Sequence, residues 1–179
     1  MATATSLVHI VPIYVANQPQ VLGQLTAHLG RAFAATVVVR PLRFDPEAAF
    51  DTSRGQYNST ILLNYLLADS TGNQGRILGV GSVDLFIPIL TYVFGEAELD
   101  GRAAIVSTYR LNDTLYGLPK NDATLLDRLN KEATHELGHT YGLLHCKNPN
   151  CVMHSSTYVE DIDLKSARFC SQCSSKMAI

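Results

Sequence analysis

His135-Glu136-Leu137-Gly138-His139-Thr140-Tyr141-Gly142-Leu143-Leu144-His145 is the stretch from which the rest of this 179-residue chain is read. It spells HExxHxxGxxH. An α-helix repeats every 3.6 residues, so His135 and His139 fall one turn apart on one face and can hold a metal ion between them. Glu136 lies beside that face. Neutral imidazoles suit Zn²⁺, and a carboxylate next to the ion can take a proton from water whose pKa zinc lowers to roughly 7. Gly142 comes three residues after His139, where a left-handed residue would stop the helix and turn the chain so that His145 returns toward the metal. Three protein nitrogens leave a fourth tetrahedral position open, which separates a catalytic zinc from a structural one. HExxH alone would arise by chance in roughly one chain of this length and composition in 150. With Gly142 and His145 at fixed offsets the odds fall to on the order of one in 60,000.

Just upstream, Leu125, Leu126, Leu129 and Ala133 form an apolar stripe that predicts a helix running into His135, with Asn121 or Asp122 as its N-cap. At the other end of the chain, residues 7–15 (LVHIVPIYV) read as a buried first strand, although Pro12 argues against it. Asn17 is placed to cap a helix striped by Val21, Leu22, Leu25, Leu29 and Phe33. Residues 36–40 (TVVVR) then predict a strand apolar on both faces, as a parallel, helix-covered sheet requires. Residues 51–73 offer a second helix, with Tyr57, Ile61, Leu62, Tyr65 and Leu66 on one face and Gly72 near its end. Residues 76–84 read as a third strand, loosened by two glycines. After Pro88, residues 89–94 and 103–109 predict two antiparallel strands joined through a loop at 95–102. The expected fold is therefore α/β, of the α+β kind: a mixed, twisted sheet of about five strands with one antiparallel edge strand, a long metal-binding helix and a C-terminal cysteine segment. One domain spans residues 1–179, with sheet and covering helices over 1–120 and the site elements over 121–179.

All four cysteines fall near the C-terminus: Cys146, Cys151, Cys170 and Cys173. The spacing Cys-x4-Cys and Cys-x2-Cys is that of paired ligand knuckles around a closed Cys₄ zinc. Two disulfides, or a CxxC redox pair, are the alternatives. The net charge of −2 and the absence of a basic block give no reason to expect nucleic acid or an anionic membrane as partner. Residues 7–15 lack the layout of a signal peptide, and no run approaches transmembrane length, so a cytoplasmic protein with reduced thiols is expected. The oligomeric state is left open, with a monomer as the default.

The combined pattern HExxHxxGxxH-C-x4-C-x-M followed by CxxC resembles the archaemetzincins, a family of metzincin zinc peptidases of archaea and vertebrates. The motif covers residues 132–173, and the order of the preceding strands and helices agrees with the family's fold. The resemblance implies two zinc ions per chain. His135, His139 and His145 would hold the catalytic ion, Glu136 would be the general base, and Met153 would form the Met-turn beneath the metal. Cys146, Cys151, Cys170 and Cys173 would surround a second, structural zinc. Several metzincin families carry a tyrosine two residues after the turn methionine. Ser155 stands there in this chain, so Tyr158, Tyr141 and His154 are the candidate donors to a developing oxyanion. Each also has an ordinary packing or surface reading, and His9 and His28 are read as structural.

The implied reaction is hydrolysis of a peptide or protein substrate, with Glu136 moving the proton. Substrate would lie along an edge strand at 89–94, with the loop at 95–102 limiting how far it extends. Two alternatives stand beside this. One is a zinc-stabilised peptide-binding or interaction module with little or no turnover; the other is a zinc hydrolase acting on a non-peptide amide.

Overall fold

The computed structural model describes residues 6–15, 17–69 and 74–177. Along the chain the elements are β1 (Ser6–Ile13), α1 (Pro19–Ala32), β2 (Ala35–Val39), β3 (Phe50–Asp51), β4 (Gln56–Asn58), α2 (Ser59–Asp69), β5 (Arg76–Gly81), β6 (Leu85–Phe86), β7 (Gly95–Ala97), β8 (Ala103–Ser107), α3 (Asp122–Thr140), α4 (Val159–Leu164) and α5 (Ser171–Met177). The main sheet has the order β2-β1-β5-β8-β7, parallel throughout except for β7, which pairs antiparallel with β8 at the edge. The mixed sheet expected from the sequence is thus the one observed.

Successive side chains of a strand point to opposite faces, and this sheet buries both. Val8, Ile10, Leu78, Val80, Ala104 and Val106 meet Leu22, Leu25 and Leu29 of α1 and Leu129, Ala133 and Leu137 of α3. On the opposite face Val11, Ile13, Ile77 and Ile105 meet Leu62, Leu63 and Leu66 of α2. Each such side chain contributes roughly 1.5–3 kcal/mol by leaving water, so the alternation fixes on which side α3 must lie. That places α3 against β8 and β7, with the HExxH turn beside the sheet's open edge.

Several local expectations are corrected. Pro12 lies inside β1 without penalty: Ile10 faces β2 and accepts from the Arg40 amide, and the ring nitrogen two residues on points past the end of β2. Asn17 does not cap α1. Gln18 is the N-cap and makes no side-chain cap bond, while Pro19 supplies the preset first turn. The strand at 36–40 is β2, shifted by one residue. It is an edge strand with Val38 and Val39 exposed, so its apolar run is not buried on both faces.

The helix expected over 51–73 is only α2. Asp51 instead closes a turn by accepting from the amides of Ser53 and Arg54, and β3 and β4 pair across it. The helix begins after Asn58, whose side chain accepts from the Ile61 amide. Leu62, Leu63 and Leu66 form its buried face, while Ile61 and Tyr65 are exposed. Gly72 lies outside the described residues. A second sheet, β3-β4-β6, results from this arrangement and has no counterpart in the sequence reading.

Residues 89–94 are not a strand. The carbonyls of Leu90 and Thr91 are taken by the Arg54 guanidinium, and that of Thr91 also by the Gln56 amide, so they serve no sheet ladder. The antiparallel edge strand is β7, a few residues later. At the C-terminus, Arg128 binds α3 to α4. Its guanidinium makes a two-bond pair with Asp163 at 2.7 and 2.8 Å and reaches Asp113 at 2.6 Å.

Candidate metal centre

Helix α3 starts where its sequence signal lies, with Asn121 Oδ1 accepting from the Thr124 amide at 3.1 Å. It ends in a Schellman arrangement. The Gly142 amide donates to the His139 carbonyl at 2.9 Å and the Leu143 amide to the Gly138 carbonyl at 3.2 Å, with Gly142 at φ 79°. A side chain at that φ would press on the carbonyl, which is why the turn needs glycine. Leu143 is thereby buried, and its carbonyl accepts from His139 Nδ1 at 2.7 Å.

His135 is oriented in the same manner, its Nδ1 lying 2.8 Å from the Val152 carbonyl. A carbonyl only accepts, so both Nδ1 atoms carry the proton and both Nε2 atoms present lone pairs. These two Nε2 atoms lie 3.1 Å apart. Two acceptors turned toward one point cannot bond each other; a shared cation satisfies both, and tetrahedral zinc would set its nitrogens about 3.3 Å apart. His145 completes the group, with ligand nitrogens of all three histidines within 4.8 Å of one another. Burial lowers the pKa of each histidine, that of His135 well below its ordinary value, which keeps the rings neutral as ligands must be.

Glu136 is buried beside the histidines. Burial, then the neighbouring Glu132 carboxylate, raises its pKa well above the ordinary value. The edge strand leaves room for it: a Cβ on Gly95 would lie 2.7 Å from Glu136 Cγ. Beneath the helix, Met153 is fully buried, and a Cβ on Gly138 would come within 2.5 Å of its sulfur. The methionine therefore packs directly on the helix backbone between His135 and His139.

The four cysteine sulfurs also converge, all within 4.8 Å of one another, and all four are free thiols. Disulfides are not formed. Cys146 and Cys170 sulfurs are 3.8 Å apart. The Cys173 amide, by hydrogen bonding to the Cys170 sulfur, lowers that thiol to about 7, whereas burial raises Cys151 and Cys173. Four sulfurs gathered with one already inclined to ionise form a donor set suited to zinc. The two groups are linked through backbone: the Cys146 amide donates to the Met153 carbonyl at 2.8 Å, and His154 Nδ1 donates to the Cys146 carbonyl at 2.9 Å.

Of the three candidate oxyanion donors, Tyr158 alone lines the cleft beside His135 and His145. Tyr141 stacks on Phe33 and bonds Ser6, and His154 is engaged with Cys146. His9 reaches the Gln74 carbonyl and His28 the Thr134 hydroxyl, and neither joins the three-histidine group.

The family model described as peptidase family M54 matches residues 38–178. This chain belongs to peptidase family M54. It is 40% identical over 158 residues to the archaemetzincin of Methanocaldococcus jannaschii, covering 88% of this chain and 86% of that one. The crystal structure of the Methanopyrus kandleri archaemetzincin superposes with a TM-score of 0.83 at 34% identity, over 99% of this chain and 96% of that one. A zinc-dependent peptidase from Methanocorpusculum labreanum matches with a TM-score of 0.83 at 27% identity, over 95% of this chain and 99% of that chain. Family membership and similarity to the archaemetzincins make the chain a zinc metallopeptidase.

Two residues of the site have no place in the sequence expectations. Lys165 and Glu132 form a buried ion pair at 2.8 Å below the histidines, and the ammonium also donates to the His154 carbonyl at 3.0 Å. Glu132 carried a faint signal, an acid one helical turn before Glu136 on the buried face. Lys165 carried none. Residues 90–94, expected as the substrate-binding edge strand, do line the cleft together with Gly95 and Glu136, but as irregular chain.

Proposed function

We propose that this chain hydrolyses peptide bonds at a zinc ion held by His135, His139 and His145, with Glu136 as general base and a second zinc held by Cys146, Cys151, Cys170 and Cys173. The observation that carries the reading is the pair of Nε2 lone pairs 3.1 Å apart, each fixed by a carbonyl bonded to the opposite ring nitrogen. Zinc bound there supplies Lewis acidity, which makes water a nucleophile near neutral pH and polarises a carbonyl. The chain's own groups do the rest. Glu136 takes the proton from the attacking water and returns it to the leaving amine. Its burial suits the first step, because a carboxylate with a raised pKa accepts a proton more readily than a free one. Met153 seats the helix turn, and Tyr158, which lines the cleft, is the donor we assign to the charge developing on the carbonyl oxygen. Substrate is a peptide or protein lying in the cleft between residues 90–95 and 155–158, next to β7. A cytoplasmic setting fits the free thiols.

The test is Glu136→Ala with zinc content measured on the same preparation. Cleavage should fall by at least about 10²–10⁴, roughly 3–5 kcal/mol of barrier, with zinc content unchanged. Near wild-type turnover would place the base elsewhere. Fully zinc-loaded wild-type protein that cleaves nothing in a peptide library would favour a binding module.

A further inference from the structure

The cleft beside the histidines encloses about 460 Å³ between two walls, residues 90–95 and residues 155–158. Those walls are joined. The Tyr92 hydroxyl donates to the Thr157 carbonyl at 2.9 Å, across 65 positions of sequence. A main chain cannot pass between two groups already in hydrogen-bond contact, so the two walls are closed to it at this point.

Both sides of the contact are braced. The Tyr92 ring lies under the Arg110 guanidinium at 4.0 Å and edge-on to Phe94 at 5.6 Å. Arg110 is itself fixed by a two-bond pair with Asp84 at 2.6 and 2.7 Å. Gln56 bonds the same Asp84 and the Thr91 carbonyl, so the wall carrying Tyr92 is tied to β4. Across the cleft, the Thr157 amide donates to the Asp161 carboxylate at 2.9 Å.

The braces also reach α3. Arg110 leads into the turn whose Leu111 carbonyl and Asp113 carboxylate hold Arg128 of α3, and Asp163 of α4 holds the same guanidinium. Arg128 lies one helical turn before Glu132 and about two before His135. Both sides of the contact are thus tied, through Arg110 and through α4, to Arg128 of α3, ahead of the metal-site residues in the helix.

We propose that Tyr92 sets the length specificity of the enzyme: its contact with Thr157 stops the substrate chain on one side of the scissile bond, so that cleavage falls near a peptide terminus. The inference rests on the peptidase reading above. Tyr92 acts here as a specificity residue, bounding the cleft without touching the reacting atoms.

Two variants test it. Tyr92→Phe keeps the ring packing and removes the hydroxyl; Tyr92→Ala removes the barrier. Digests of peptides of increasing length, resolved by mass spectrometry, should show wild-type cuts close to one terminus only. Internal cuts should rise in both variants relative to terminal ones, by about tenfold in Tyr92→Ala, the scale of one hydrogen bond with its packing. Binding is read independently in Glu136→Gln protein loaded with zinc: lengthening a peptide past the stop should not tighten binding, and should do so once Tyr92→Ala is added. Wild-type cuts in the middle of long peptides, or unchanged product ends in zinc-replete variants, would overturn the proposal. A wild-type protein without turnover would count against the peptidase reading alone, because the binding arm still decides whether the stop exists.

Discussion

Glu136 shows what a residue gives up in stability to serve at a site. Burial raises its folded pKa above the unfolded value of 4.5, so the folded carboxyl is penalised little below that pH and progressively more as pH rises above it. In metal-free protein, Glu136→Gln should therefore raise the melting temperature at pH 7–8, with the gain vanishing toward pH 4. The histidines have the opposite dependence. Their folded pKa values lie below 6.5, so metal-free stability is complete above that value and is lost as pH falls through it toward the folded values. Thermal melts across pH on metal-free wild type and Glu136→Gln test both signs. A second residue-scale expectation concerns Lys165. Lys165→Met strands the buried Glu132 carboxylate and should cost about 3–5 kcal/mol, whereas Glu132→Leu with Lys165→Met should recover most of it. Urea denaturation of the single and double variants decides this.

At the scale of elements, the helix carrying the site was legible at both ends. Asn121 caps it, Gly142 stops it, and both act through bonds to residues three to five positions away. Such signals survive in sequence because their partners are close along the chain. Gly142→Ala would place a Cβ in a left-handed turn at about 1–2 kcal/mol and displace His145 with it. The expected result is a lower melting temperature together with weaker zinc binding by calorimetry. Unchanged zinc affinity would mean that His145 is held by the Cys146–Met153 contact instead. Elements whose partners are distant were misread. Residues 89–94 have strand composition, yet Arg54 and Gln56 capture their carbonyls, and nothing near them in sequence announces this. Asp51 opened an apparent helix, but its side chain closes a turn that becomes β3 and β4.

Across the molecule, the two ligand groups should respond to metal removal in sequence. With zinc held as proposed, the three histidines would leave a coordination position to a chelator, whereas four thiolates would close the other site. Mild chelation should stop cleavage before the chain unfolds, with zinc release and circular dichroism followed together. Adjacency of His145 and Cys146 does not couple the sites by thiolate anchoring alone. Val152 lies between Cys151 and Met153, and its carbonyl orients His135 while its amide bonds the Arg168 carbonyl near Cys170. Cys170→Ser should therefore weaken the histidine zinc by about 10–100-fold, as loss of a supporting contact does. His135→Ala should leave the thiolate zinc in place. Metal titration of both variants checks the asymmetry, and an unchanged histidine site in Cys170→Ser would refute the coupling.

The helix that brings His135 and His139 together and a mixed main sheet with one antiparallel edge strand were legible in sequence, because each depends on a period: 3.6 residues for the helix face, two for strands buried on both sides. The cysteine group was legible by spacing alone. What only the tertiary structure decided lies at longer range. Val152 is 17 positions from the His135 ring it orients, and Thr157 is 65 from the tyrosine that closes the cleft. Lys165 has no local feature that distinguishes it from a surface lysine until Glu132 is packed against it. Contacts of this kind arise from where whole elements come to rest, which is set by total burial over both faces of the sheet and has no period in the chain.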